Sequence, residues 1–191
     1  MSLPPKFYGP VYRLANNWKN IIPEEFEEKP IKYLEIGAFL GLNLYSVWKS
    51  YGKHPESKLY CVDPWEDYSD YDEYKTEQES NFAKFKHHTK EIPLENLTVI
   101  RGYSHREIPK FDDDFFDLIY IDGNHDPEYV LEDAVLAFRK LKVGGYLIFD
   151  DYGWGGADLT QRGIDAFSHG YFRRVRELGL RNSQVFIQKL K

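Results

Sequence analysis

The sequence is poor in cysteine, in long apolar runs and in positive charge, and each shortage excludes a class of protein. Cys61 is the only cysteine, so no internal disulfide forms and a cytoplasmic, reducing location is expected. No apolar stretch approaches the roughly 20 residues that span a bilayer, and residues 1–6 lack a signal-peptide core, so no membrane partner is expected. The net charge of −6 predicts no broad basic face and therefore no nucleic-acid partner.

Apolar and aromatic residues are abundant enough to build a substantial core. They make up 42% and 17% of the 191 residues, which excludes a disordered chain. The length predicts one domain, which we place at residues 31–191. Residues 1–30 are punctuated by proline and are interpreted as an N-terminal cap with a helix around residues 11–22; this cap offers a surface for a homo-oligomer.

Short β-rich runs alternate with helix-length segments. Strands are predicted near residues 31–36, 58–62, 97–101, 116–121, 145–150, 171–177 and 184–189, and helices over residues 41–51, 73–90 and 126–141. The last helix has Asp126 as its N-cap and Gly144-Gly145 as its stop signal. The alternation predicts a parallel sheet, and the short link at residues 179–182 predicts a terminal antiparallel hairpin.

Acidic residues close several of these predicted strands. The acids are Glu35, Asp63, Asp122, Asp150 and Asp151. The carboxyl ends of parallel strands share one edge of a sheet, and ligands bind at that edge. The acids therefore predict a functional site. The polar residues 67–74 are interpreted as a solvated loop or as a lid over this site, and residues 154–157 as a flexible loop that lines it.

The first strand runs into a glycine turn, in the sequence YLEIGAFLG at residues 33–41. Gly37 permits a tight turn and close approach of a ligand, although a turn of this kind packs against the fold as often as it binds. The middle glycine of the dinucleotide fingerprint is missing. Asp63 lies 26 residues after Gly37, where a carboxylate accepts both ribose hydroxyls or merely serves as a turn residue before Pro64. Trp65 stacks on a base or covers the edge of the core.

A second set of polar residues follows the fourth and fifth strands. Carboxylates of Asp122, Asp150 and Asp151 that converge on one point repel each other unless a cation lies among them. Oxygen ligands suit Mg²⁺, Mn²⁺ or Ca²⁺. The alternative is that Asp150 caps its strand and Asp151 is solvated. His125 is interpreted as a general base, a neighbour of the metal or a turn residue.

These elements, in this order, resemble class I S-adenosylmethionine-dependent methyltransferases, most closely the small-molecule O-methyltransferases that include macrocin-type sugar methyltransferases. The similarity covers about residues 30–190 and is carried by YLEIGAFLG, LYCVDPW at 59–65, IDGNHDPEYVLEDA at 121–134 and KVGGYLIFDDYGW at 142–154. The resemblance implies an α/β fold: a Rossmann-like seven-stranded methyltransferase sheet with the last strand inserted antiparallel and helices on both faces.

The resemblance also implies roles for individual residues. The cofactor-binding set is Glu35, Gly37, Ala38 and Gly41 at the methionine moiety, Asp63 at the ribose, Tyr103 and Ser104 near the adenine, together with Trp65 and Asp122. In metal-dependent relatives, acids matching Asp122, Asp150 and Asp151 bind a divalent cation that positions the acceptor hydroxyls. One position departs from the pattern, because Asn124 stands where an acid often serves as base. The predicted catalytic residues are therefore His125 and Asn124.

The expected activity is methyl transfer from S-adenosylmethionine to a hydroxyl of a small acceptor, such as a sugar or another polyol, assisted by Mg²⁺ or another divalent cation. One alternative is an NAD(P)-dependent oxidoreductase, since that class also places an acid after its second strand. The other is a non-catalytic protein that binds S-adenosylmethionine, which the amide of Asn124 suggests.

Overall fold

A seven-stranded mixed sheet organises the fold. The computed structural model describes residues 15–67, 77–154 and 158–191. The strands are β1 (Lys32–Ile36), β2 (Lys58–Asp63), β3 (Leu97–Arg101), β4 (Phe116–Ile121), β5 (Leu141–Phe149), β6 (Val175–Arg181) and β7 (Gln184–Lys189). Their order is β3-β2-β1-β4-β5-β7-β6, with β1 to β5 parallel and β7 antiparallel between β5 and β6. The predicted fold class, including the inserted last strand, is confirmed.

Helices cover both faces of the sheet. They are α1 (Glu25–Glu28), α2 (Leu42–Trp48), α3 (Gln78–Thr89), α4 (Ser104–Glu107), α5 (Pro127–Lys140) and α6 (Leu159–Tyr171). Consecutive strand residues enter opposite cores: Tyr33 packs in one with Leu44 and Phe85, whereas Leu34 packs in the other with Phe138. Because helices cover both faces, β1 and β4 are almost continuously buried, as expected of central parallel strands.

The described part of the N-terminal segment packs into the first of these cores. Trp18, Ile22 and Phe26 are buried there, and the backbone N–H of Ala15 donates to Ser46 Oγ at 3.0 Å. Residues 15–18 form one 3₁₀ turn where a helix over 11–22 is predicted, and residues 11–14 lie outside the described part. Residues 15–30 therefore share a core with the domain rather than folding apart from it.

Two predicted boundaries are wrong. The helix predicted over 126–141 agrees with α5 (Pro127–Lys140), but the strand predicted from residue 145 already begins at Leu141, so Gly144-Gly145 lies inside β5. Leu141 is fully buried and pairs with Phe116, so burial in the sheet determines where the helix ends. The predicted strand at 171–177 begins only at Val175, because Tyr171 ends α6, a helix absent from the prediction, and residues 172–174 form a turn.

The terminal hairpin forms, but its turn is shifted. Gly179 and Arg181 still pair with β7, so the turn consists of Asn182 and Ser183, both with positive φ. Two central residues with positive φ match the twist of a tight hairpin. Residues 68–74 of the predicted lid, residues 73–76 of the second predicted helix and residues 155–157 of the predicted flexible loop lie outside the described part.

Across the described ranges, each helix is too short or too polar to traverse a lipid bilayer.

Candidate active site

The turns after β1 and β4 are in direct backbone contact at the carboxyl edge of the sheet. Gly37 has a φ of +82°, and its N–H donates to Val62 O at 2.9 Å. A Cβ atom built on Gly37 would lie 1.9 Å from the carbonyl oxygen of Asp122. Only glycine fits there, so the turn predicted from its glycine is both a close packing point and part of the site.

Two cavities open on either side of this contact. The larger cavity is bounded by the turns after β2 and β3 and by α5, and its lining includes Ser104, Asn124 and Asp133. The acidic cavity is bounded by the turns after β1, β4 and β5, and its lining includes Asp122, His125 and Asp151. Gly37, Asp63 and Gly123 line both, so the two cavities meet at these residues.

Asp63 is held by the main chain at the junction of the two cavities. Its Oδ2 accepts the N–H groups of Ala38 and Phe39 at 2.9 and 2.8 Å, and its Oδ1 accepts that of Trp65 at 2.8 Å. Burial raises the pKa of Asp63, and these three hydrogen bonds oppose the rise. The carboxylate organises the neighbouring turns and keeps about one of its four lone-pair sites for a ligand hydroxyl.

Glu35 lies beneath the cavities rather than in them. It is 1% exposed, and its Oε2 accepts from Tyr33 Oη at 2.5 Å and from Asn43 Nδ2 at 2.9 Å. Burial raises its pKa to about 8, although these hydrogen bonds act in the opposite direction. Glu35 is therefore largely protonated at neutral pH and fixes the base of the β1–α2 turn.

Three other residues of the predicted cofactor set pack against the fold. Ala38 is buried and contributes its N–H to Asp63. Gly41 is the N-cap of α2, and a Cβ atom there would lie 2.8 Å from side-chain atoms of α3. Trp65 is 1% exposed and packs on Phe82 and Phe85. This placement of Trp65 favours the core-edge interpretation over base stacking.

Tyr103 and Ser104 both line the larger cavity, after β3. The hydroxyl of Tyr103 donates to Glu66 Oε2 at 3.1 Å, while the hydroxyl of Ser104 hydrogen-bonds to Asp133. Both residues thus line the cavity that Asp122, His125 and Asp151 do not line.

The acidic cavity brings together Asp122, His125 and Asp151. His125 Nε2 lies 3.7 Å from Asp122 Oδ1 and 3.5 Å from Asp151 Oδ2, and one ligand atom from each residue falls within 4.8 Å of the others. Asp150 is oriented differently, because its Oδ2 accepts the hydroxyl of Tyr120 and its Oδ1 accepts the N–H of Asp151. The predicted three-aspartate arrangement thus appears here as two aspartates and a histidine.

His125 is enclosed among negative charges. His125 is 7% exposed, and its ring packs on that of Trp154 with the ring centroids 4.5 Å apart. Burial lowers the pKa of His125, but the hydrogen bond to Asp122 and the charges of Asp122, Asp151 and Asp150 outweigh it and raise the pKa overall. Burial and the adjoining aspartates likewise raise the pKa of Asp122. The cluster therefore retains a proton near neutral pH.

Asn124 has a local structural role. Its Oδ1 accepts the N–H of Asp126 at 2.8 Å, which shapes the turn that leads into α5. Asn124 lines the larger cavity, whereas its neighbour His125 lines the acidic one. The two predicted catalytic residues therefore face different cavities.

Sequence reasoning missed several residues that line the cavities, namely Phe39, Gln78, His105, Tyr129, Glu132 and Asp133. Asp133 carried a signal, because it lies three residues after Val130 and four before Ala137 on the apolar face of α5. An acid within an apolar stripe indicates a buried polar role. The others lie on irregular segments or the polar side of a helix and show no such pattern.

Residues 34–152 match the model of a family described as methyltransferase domain. The match spans more than half of the chain and includes the carboxyl ends of β1 to β5. The chain belongs to this methyltransferase family. The predicted enzyme class is thereby confirmed, and the nicotinamide-dependent alternative is set aside.

The methyltransferase also resembles a protein of Acanthamoeba polyphaga mimivirus, with 28% identity over 149 residues. That stretch covers 76% of this chain and 62% of the viral protein, so the chain spans less than two thirds of the length of this relative. No activity is transferred from this likeness.

Solved structures of low identity share the fold. The O-methyltransferase TomG of Streptomyces achromogenes, solved with S-adenosylmethionine, is 16% identical, with 95% of this chain and 78% of that chain covered and a TM-score of 0.65. An rRNA methylase of Streptococcus thermophilus is 16% identical, with 95% of this chain and 97% of that chain covered and a TM-score of 0.63. MycE, a mycinamycin-pathway methyltransferase solved with Mg and S-adenosylhomocysteine, is 18% identical, with 94% of this chain and 49% of that chain covered and a TM-score of 0.54. At such identities only the fold is shared.

Proposed function

We propose that this methyltransferase moves the methyl group of S-adenosylmethionine to a hydroxyl of a small polyol, such as a sugar, with the assistance of a divalent cation. The observation that carries the proposal is the meeting of two unlike cavities at Gly37, Asp63 and Gly123. One offers a main-chain-anchored carboxylate and hydroxyl groups, and the other offers a cluster of acids with a histidine. TomG with its bound S-adenosylmethionine supports this donor.

The donor occupies the larger cavity in this proposal. The remaining acceptor site of Asp63 would receive a ribose hydroxyl, and Ser104 and Tyr103 line the same cavity. Gly37 and Gly123 would lie between the donor and the acceptor, because both residues line both cavities. When bound, S-adenosylmethionine would supply an activated methyl group: its sulfonium–carbon bond would break as the acceptor oxygen bonds the methyl carbon, and the hydroxyl proton would pass to a base. The protein acts mainly by aligning the two reactants.

A divalent cation fits the acidic cavity. Asp122, His125 and Asp151 present two carboxylate oxygens and one imidazole nitrogen close together, a donor set that Mg²⁺ or Mn²⁺ accepts. The Mg complex of MycE supports a cation in this fold. When bound, the cation would lower the pKa of the acceptor hydroxyl and orient it.

His125 has two candidate roles that use the same atom. Its Nε2 faces both carboxylates, so this nitrogen either binds the cation or accepts the proton of the acceptor hydroxyl. Both roles require a neutral imidazole, and the aspartates that raise the pKa of His125 oppose the loss of its proton. A metal-free enzyme that still turns over would assign His125 as the base.

The proposal is tested by methyl transfer from labelled S-adenosylmethionine to a panel of sugars, polyols, catechols and short RNAs, with Mn²⁺ or with EDTA. We expect a hydroxylated small molecule to be labelled and EDTA to suppress the labelling. The exposed control variant Asp112→Asn should behave as wild type. Labelling of RNA alone would contradict the acceptor class. Tight binding of S-adenosylhomocysteine without any transfer would favour a non-catalytic binding protein.

A further inference from the structure

Three buried polar side chains cross one face of the sheet and end at Asp150, beside the acidic cavity. Trp18 Nε1 donates to Gln184 Oε1 at 3.1 Å, and Gln184 Nε2 donates to Tyr120 Oη at 3.1 Å. Tyr120 in turn donates its hydroxyl proton to Asp150 Oδ2. The three side chains, here called the buried network, come from the N-terminal segment, from β7 and from β4. They lie outside the linings of both cavities.

The chemistry of these groups gives the buried network one direction. An indole nitrogen only donates, so the Gln184 amide presents its oxygen to Trp18 and its NH₂ group to Tyr120. The Tyr120 oxygen accepts from that amide and directs its own proton to Asp150. Such a network is rigid, because moving one of its hydrogen bonds would leave another polar group buried and unpaired.

The two carboxylate oxygens of Asp150 shape the turn after β5. Tyr120 holds Oδ2, whereas Oδ1 accepts the N–H of Asp151 at 2.9 Å. Asp151 has a φ of +55°, a conformation that few residues other than glycine adopt. With this backbone, its Oδ2 lies 3.5 Å from His125 Nε2. Holding Asp150 therefore sets the direction in which the carboxylate of Asp151 faces the acidic cavity.

A second set of contacts joins the N-terminal segment to the same turn. Asn182 Nδ2, in the hairpin between β6 and β7, donates to Asn17 Oδ1 at 2.7 Å. The neighbouring Ser183 accepts the N–H of Tyr152 at 2.8 Å through its carbonyl oxygen. The N-terminal segment thus contacts the hairpin, and the hairpin holds the residue that follows Asp151.

We propose that the buried network positions the carboxylates of Asp150 and Asp151, so that the N-terminal segment helps to build the acidic cavity. Trp18, Gln184 and Tyr120 are positioning residues, because they act through Asp150 and take no part in the transfer. The inference rests on the proposed function, since the fixed turn serves the reaction only if the acidic cavity binds the cation. A cation gains affinity when its ligands are already held in place.

The test compares two tyrosine-to-phenylalanine variants of the full chain. Tyr120→Phe removes the hydroxyl that holds Asp150. Tyr146→Phe is the matched control, because its hydroxyl also pairs with a glutamine of β7, Gln188, in the same core but outside the buried network. Electron paramagnetic resonance should show about tenfold weaker Mn²⁺ binding by Tyr120→Phe and wild-type binding by Tyr146→Phe. Both variants should bind S-adenosylhomocysteine as wild type does in calorimetry.

Hydrogen exchange of the Asp151 amide, followed by NMR spectroscopy without metal, tests the buried network separately from the cation. Tyr120→Phe should accelerate this exchange relative to that of Ile119, a buried residue of β4, because Asp150 Oδ1 is then no longer fixed against the Asp151 N–H. Tyr146→Phe should leave the ratio of the two exchange rates unchanged.

The outcomes separate the inference from the proposed function. Wild-type protein that binds no Mn²⁺ would contradict the proposed cation, whereas an unchanged exchange ratio in Tyr120→Phe would overturn the buried network itself. Equal losses of Mn²⁺ and S-adenosylhomocysteine binding would also overturn the inference, because they would show a general structural role. If Tyr120→Phe does not fold, Gln184→Met cuts the link to Trp18 and should weaken Mn²⁺ binding severalfold; unchanged binding would contradict the proposal.

Discussion

The two cavities that meet at Gly37 treat their acids in opposite ways. On the side of the larger cavity, Asp63 accepts three main-chain N–H groups, which oppose the rise in its pKa that burial causes. In the acidic cavity, Asp122 and Asp151 share one imidazole, and their pKa values are raised by burial and by neighbouring carboxylates. The first arrangement is complete before a ligand binds, whereas the second favours an added positive charge.

The largest effect is expected from a substitution that forces apart the turns after β1 and β4, where the two cavities meet. Gly37→Ala would force a methyl group into the carbonyl of Asp122 and strain a positive φ. We expect a loss of stability of more than about 4 kcal/mol, or no folded protein, in urea denaturation. Gly144→Ala is the matched control, because Gly144 also has a positive φ but no atom within 4 Å of the added Cβ. It should lose only about 1 kcal/mol.

Glu35 sharpens the comparison as a third kind of acid, one kept neutral. Its raised pKa means that the folded protein binds more protons than the unfolded chain between pH 4.5 and about 8. Its contribution to stability therefore falls as the pH rises through that window. Glu35→Gln removes this pH dependence. Relative to wild type, the free energy of unfolding of the variant should therefore be higher at pH 8 than at pH 5, by roughly 3 kcal/mol.

The measurement is urea denaturation of both proteins at pH 5 and pH 8. Glu128→Gln serves as control, since the exposed Glu128 should leave the difference from wild type independent of pH. An equal stability difference for Glu35→Gln at the two pH values would show that Glu35 is ionised in the folded protein.

Asp63 tests whether the larger cavity depends on its anchored carboxylate. Asp63→Ala leaves the N–H groups of Ala38, Phe39 and Trp65 without their acceptor. We expect a loss of about 3 kcal/mol in stability and no measurable binding of S-adenosylhomocysteine by calorimetry. Binding of unchanged affinity would remove Asp63 from the cofactor site.

The smallest expected effect concerns the acidic cavity. Asp151→Asn removes one charged donor and should weaken Mn²⁺ binding, measured by electron paramagnetic resonance, by about tenfold. Stability should change little, because the Asp151 side chain is 39% exposed. The surface variant Asp112→Asn should bind Mn²⁺ as wild type does, and equal binding by both variants would place the cation elsewhere.

The sequence was most informative where local pattern and tertiary structure agree. Alternating segments and acids at strand ends predicted the sheet and the position of its functional edge, because parallel strands bring those ends together. The start of β5 was mispredicted, because the buried Leu141 already pairs with Phe116 in the sheet and Gly144 lies inside the strand. The orientation of Asp150 toward Tyr120 was not predictable either, because it depends on a contact between side chains of neighbouring strands.

A crystal structure of the protein with S-adenosylhomocysteine and Mn²⁺ tests the central claim most directly. We predict the ribose at Asp63 in the larger cavity, and the ion bound by Asp122, His125 and Asp151 across the junction at Gly37. A nucleoside bound elsewhere, or an acidic cavity without the ion at saturating Mn²⁺, would contradict the assignment of donor and cation to these two cavities.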